Sequence, residues 1–123
     1  MKRAVLIGFA ILAVPHALLL LGAVAGSASA ALGLLIWASA TTAGFVVSYL
    51  APSKKLIAGS LMCIPAAALA ALTNAIYEAI GHSVDFPGIQ GAFFVLGTSF
   101  IVSLMLCSVG ALASWLFQRY AAA

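Results

Sequence analysis

Four long stretches of this chain, residues 4–26, 30–51, 56–80 and 91–117, carry no lysine, arginine or aspartate. Their one acidic residue, Glu78, falls in the last turn of the third. Crossing a hydrocarbon core takes about 20 consecutive apolar residues as helix. Backbone groups in lipid must also be satisfied within the segment. Each stretch is therefore predicted to be a transmembrane helix. A barrel would need segments of about ten residues alternating inward and outward, and no such alternation is present. The connections "GSAS", "APSKK" and "GHSVDFPGIQ" are short. Only 6% of the residues are charged and 66% are hydrophobic, whereas a soluble domain is about a quarter charged. The expected fold class is an all-α integral membrane protein, a four-transmembrane-helix bundle forming one domain over residues 1–123.

Charge sets the expected orientation. Lys2, Arg3, Lys54, Lys55 and Arg119 fall at the N-terminus, the middle connection and the C-terminus, which share one side in a four-span arrangement. Glu78 and Asp85 lie on the other. Lysine and arginine mark the cytoplasmic side, so both termini are expected there, in a bacterial inner membrane. A rival reading takes "MKR", the first apolar run and Ala28-Ser29-Ala30 as a cleavable secretory signal. The apolar core of a signal spans about 7–15 residues. The first run is longer, and is read as a retained span.

A shift of fifty positions aligns residues 6–25 with 56–75. Leu6/Leu56, Ile7/Ile57, Pro15/Pro65, Ala17/Ala67, Leu19/Leu69 and Ala25/Ala75 are identical, and a basic pair precedes each segment. Further on, "GFVVSYL" (44–50) matches the pattern of "GALASWL" (110–116). The reading is a duplicated helical hairpin, a 2+2 parallel repeat with its axis along the membrane normal. Pro15 and Pro65 each remove a backbone donor and should bend their helices.

His16 follows the first of these prolines, about 20 Å along the helix from Arg3 and near mid-membrane. An ionisable group at that depth is a functional candidate by default. The competing reading is structural: a neutral imidazole donating to a carbonyl freed at the Pro15 kink. That reading is preferred. Haem ligation would need a second axial ligand at matching depth, and the other histidine, His82, sits at the outer mouth. No cofactor is expected.

The outer end of the third span reads "TNAIYEAIGHSVD", with Asn74, Glu78 and His82 at four-residue spacing and Thr73, Tyr77 and Asp85 close by. That spacing shares a helical face. Glu78, His82 and Asp85 are a thin ligand set beside the four well-spaced ligands of a structural zinc site. A polar interfacial cap with Tyr77 as headgroup anchor is the preferred reading, and no metal is assigned.

Small residues recur at helix-packing intervals: Gly22 and Gly26 in the first span, Ala40, Gly44 and Ser48 in the second, Gly59, Cys63, Ala67 and Ala71 in the third. The fourth carries Ser99, Ser103, Cys107, Gly110 and Ser114. Such stripes let helix backbones approach closely. Cys63 and Cys107 read as small packing residues, since no metal or redox spacing is present.

No nucleophile–base pair, intramembrane carboxylate pair, phosphate loop or metal motif appears, and an enzyme is not expected. The five basic residues are accounted for by orientation, so nucleic acid is not an expected partner. Two function classes remain. One is a non-enzymatic accessory, assembly or structural subunit of a membrane complex, with the bilayer and other membrane subunits, or further copies, as partners. The other is an oligomeric small transporter or channel using His16 and the outer cluster. The first is preferred, because a conduction path needs more polar lining than one histidine. It would lose an argument if the small-residue stripes were all used among the four helices.

Overall fold

The computed structural model describes residues 1–24, 30–81 and 87–121. Five helices follow in order: α1 (Lys2–Val24), α2 (Ala30–Leu50), α3 (Lys55–Ser60), α4 (Cys63–Ala79) and α5 (Gly88–Ala121). α3 and α4 continue each other, so the architecture is a bundle of four helical rods. Lys2–Gly22, Lys55–Ala79 and Gly88–Ala121 are long and apolar enough to cross a membrane, and Leu34–Leu50 is a shorter apolar helix.

The third rod is not the single helix expected over 56–80. It breaks at Leu61 and Met62, one turn before Pro65. Proline has no N–H and its ring crowds the carbonyl four residues back, which here belongs to Leu61. That carbonyl is taken instead by Ile64 N–H at 3.1 Å, and Met62 N–H reaches Gly59 O at 3.3 Å. These three-residue steps tighten the chain into a short 3₁₀-like joint. Pro15, by contrast, lies inside an unbroken α1. The two prolines thus do different things.

α5 is also longer than the 91–117 expected. Its 34 residues span about 50 Å, more than the hydrocarbon core of about 30 Å. The extension puts Arg119 in the last turn, where a cation complements the negative end of the helix dipole.

α2 and α5 form the most extensive contact, α1 packs on α2 and α4 on α5, and α1 also touches α4. The core is built from small side chains: Ala40, Cys107 and Ala111 at the α2–α5 crossing and Val47 against Gly8 of α1, joined by Ala43, Leu12, Met62, Cys63 and Ala67. Large apolar side chains point outward from all four rods, including Leu6, Leu34, Ile64, Phe93 and Met105. A surface so rich in exposed apolar groups is compatible with a membrane protein.

Two glycines make the α2–α5 crossing possible. A Cβ at Gly44 would strike the Cys107 backbone, with Cys107 Cα at 2.8 Å, and a Cβ at Gly110 would strike the Thr41 carbonyl, with Phe45 N at 2.9 Å. Any larger residue at either position forces the helices apart.

Candidate functional site

The feature with the most chemical content lies between α1 and α4. His16 Nδ1 and Thr73 Oγ1 share a hydrogen bond of 2.9 Å, with the two residues 6% and 7% exposed. The reading from sequence expected His16 to meet a backbone carbonyl at the Pro15 kink; the structure gives it a hydroxyl on another helix. One turn further along the same seam, Tyr77 Oη donates to the Leu19 carbonyl at 3.5 Å. Spacing of three on α1 (His16, Leu19) and four on α4 (Thr73, Tyr77) keeps both contacts on facing stripes. The pair therefore ties the first rod to the third.

The sequence places Thr73 beside the outer polar cluster and does not pair it with His16. Counted from the nearest basic pair, it lies about 7 Å deeper than His16 by helical rise, so depth alone does not pair them. The α3–α4 joint and the packing of the rods set that offset. A polar residue one turn before Tyr77 on the inward face was the available signal.

The outer cluster divides. Glu78 accepts a hydrogen bond from Gly88 N–H, with both carboxylate oxygens at 3.1 Å. Gly88 opens α5 with φ of +77°, so the carboxylate sits at that helix's positive end, where anions are favoured. Glu78 thus links the end of α4 to the start of α5. Asn74 and Tyr77 are half-buried on α4. His82 and Asp85 lie outside the described residues, and among the described residues no group of three histidine, cysteine or acidic side chains is placed to hold a metal ion.

The small-residue stripes are largely turned inward. Ala40, Gly44, Ser48, Gly59, Ala67, Ser103, Gly110 and Ser114 are buried, as are Cys63 and Cys107, while Gly22, Ala71 and Ser99 are half-buried. Gly26 lies outside the described residues. Gly59 fits under Ala111 and the Gly44 carbonyl, each within 2.6 Å of where its Cβ would stand. Ser48 Oγ donates to the Ala111 carbonyl and Cys107 Sγ to the Ala40 carbonyl, both at 3.4 Å. Ser114 Oγ is fully buried and makes no hydrogen bond.

At the opposite end from Glu78 the basic residues gather. The antiparallel path of α1 and α2 and the α2–α3 turn bring Lys2, Arg3, Lys54 and Lys55 to the end where α5 finishes with Arg119. Lys55 Nζ and Gln118 Nε2 both donate to the Tyr49 carbonyl, at 3.2 and 3.1 Å, satisfying an orphan acceptor in the last turn of α2. Lys54 adopts left-handed φ 48° and ψ 47°, which costs a non-glycine residue about 1–2 kcal/mol. Arg119 stacks over Trp115, 5.3 Å from the ring centroid.

Comparison with protein-family models, with curated proteins and with solved structures finds no match to this chain.

Proposed function

We propose that this is an integral membrane protein whose four rods cross the bilayer with both termini cytoplasmic, and that it acts without catalysis as an accessory, assembly or structural subunit of a larger membrane complex. The observation that carries this reading is the engagement of His16. A proton or substrate path needs its ionisable group open to water or linked to another titratable one. His16 is instead enclosed and paired with the hydroxyl of a neighbouring helix, which is a packing role. The α2–α5 crossing adds to this, because a seam too tight for a methyl group at Gly44 or Gly110 leaves no lumen along it.

The stripes, by contrast, no longer argue for additional neighbours, since the bundle consumes most of them itself. Partner contacts would have to use the outward apolar faces. Orientation rests on the five lysines and arginines gathered at one end of the bundle.

The hairpin duplication belongs to the same proposal. Aligning "GFVVSYL" with "GALASWL" pairs Gly44 with Gly110 and, at the same separation, Thr41 with Cys107. Gly44 meets the Cys107 carbonyl and Gly110 meets the Thr41 carbonyl. The contact is reciprocal: each glycine faces the equivalent of the residue that faces the other. Two-fold contacts have this self-complementary form, as do parallel repeats about a common axis.

Native mass spectrometry of the protein extracted gently from its own membranes tests the functional reading. A stoichiometric complex with other membrane proteins is expected. A homo-oligomer alone would overturn the subunit reading in favour of an oligomeric transporter or channel.

A further inference from the structure

The basic end of the bundle carries an open surface groove. Ser53, Lys54, Lys55, Leu56, Ile57 and Trp115 line a space of about 460 Å³ between the α2–α3 turn and the last turns of α5. Its composition is divided. Lys54 and Lys55 bring two ammonium groups; Arg119 does not line the groove but lies over the ring of Trp115, which does. Leu56, Ile57 and Trp115 supply apolar surface and are partly exposed.

One of these cations is held in place and the other follows an unusual backbone turn. Lys55 is fixed by its hydrogen bond to the Tyr49 carbonyl, which leaves two of its three donors for another acceptor. Lys54 is turned by a left-handed backbone that glycine or asparagine would adopt at less cost. Among the described residues no acidic side chain lies at this end of the bundle; Glu78 is at the other, engaged by Gly88. Two lysines in the groove and an arginine on its Trp115 wall, with no acidic side chain near them among the described residues, fit a ligand that is anionic at one end and hydrocarbon at the other.

We propose that this groove binds one anionic phospholipid, its phosphodiester between Lys54, Lys55 and Arg119 and its first acyl segments along Leu56, Ile57 and Trp115. The assignment rests on the membrane-spanning reading given above. Clustered basic residues just cytoplasmic of membrane helices attract anionic headgroups, and aromatic rings such as that of Trp115 favour the interface.

Trp115 reports on the site directly. In a Trp37→Phe background it is the sole tryptophan, and bromine on a lipid acyl chain quenches a tryptophan it touches. The protein is reconstituted in phosphatidylcholine vesicles containing, at equal mole fraction, brominated phosphatidylglycerol or brominated phosphatidylcholine. Stronger quenching by the phosphatidylglycerol is expected, with its preference falling at least about five-fold in Lys54→Gln/Arg119→Gln, given the usual contribution of each cation near an anionic surface. Lys2, Arg3 and Lys55 remain in that variant to hold orientation, and unchanged quenching by brominated phosphatidylcholine checks that it inserts. Equal quenching by both lipids in the parent protein overturns the site while leaving the spanning reading intact. Quenching by neither overturns the spanning reading itself. Relief of the phosphatidylglycerol effect by millimolar-range inorganic phosphate, at matched ionic strength, would identify a free anion as the ligand and overturn the lipid assignment.

Discussion

Replacing His16 and Thr73 singly and together measures how much their hydrogen bond holds α1 to α4. His16→Ala removes a side chain that is 6% exposed and leaves Thr73 able to turn its hydroxyl to the carbonyl four residues back. Its cost is the hydrogen bond plus lost packing, about 1.5–3 kcal/mol by analogy with large-to-small core changes. Thr73→Val keeps the volume but strands a ring nitrogen in a buried seam, at about 1–3 kcal/mol. The double variant should cost less than the sum of the two by about 0.6–1.7 kcal/mol, from the average to the largest coupling measured for hydrogen bonds between membrane helices. Reversible unfolding in mixed micelles, followed by circular dichroism, reads all four proteins. Additivity within about 0.3 kcal/mol would refute the reasoning, since two residues sharing a 2.9 Å bond must be coupled.

Three further outcomes follow from the packing. Gly44→Ala and Gly110→Ala should each destabilise by about 1–3 kcal/mol through overpacking, whereas Gly97→Ala, where a Cβ meets nothing within 4 Å, should be neutral or mildly stabilising; thermal melts in detergent separate the three. Ser114→Ala should leave stability unchanged or raise it by up to about 1 kcal/mol, because the hydroxyl it removes is buried without a hydrogen bond; a loss above that size contradicts the assignment. Glu78→Gln removes the charge from the α5 N-terminus and should cost about 0.3–1 kcal/mol, less at high salt, as read by the same melts across a salt series.

The four helical rods and the end at which the cations gather were legible because long uncharged apolar runs favour helix and charge is scarce. The stripe residues were legible as packing residues for the same reason that Gly44 and Gly110 are glycines: two backbones cross there. What could not be read was which surface each stripe meets. A stripe at four-residue spacing looks alike whether its partner is a neighbouring rod or another protein, and most of these turned inward. Pro15 and Pro65 look equivalent in the alignment, yet only the Pro65 rod is broken, with Ile64 N–H on the Leu61 carbonyl in a three-residue step. His16 was legible as a buried polar contact but not its partner, since the register between α1 and α4 depends on that joint. Glu78 was grouped with His82 and Asp85 by spacing; its contact with Gly88 depends on how the chain returns into α5, which helical periodicity does not encode.

In the proposed topology four rods cross a bilayer with the basic end inside. Cysteines introduced one at a time at Ser53 and Pro87, both exposed at connections between rods, test this with a membrane-impermeant maleimide; the native Cys63 and Cys107 are buried. In intact spheroplasts Pro87→Cys should label at once and Ser53→Cys only after lysis. Labelling of both from outside, or of Ser53→Cys alone, would contradict the account.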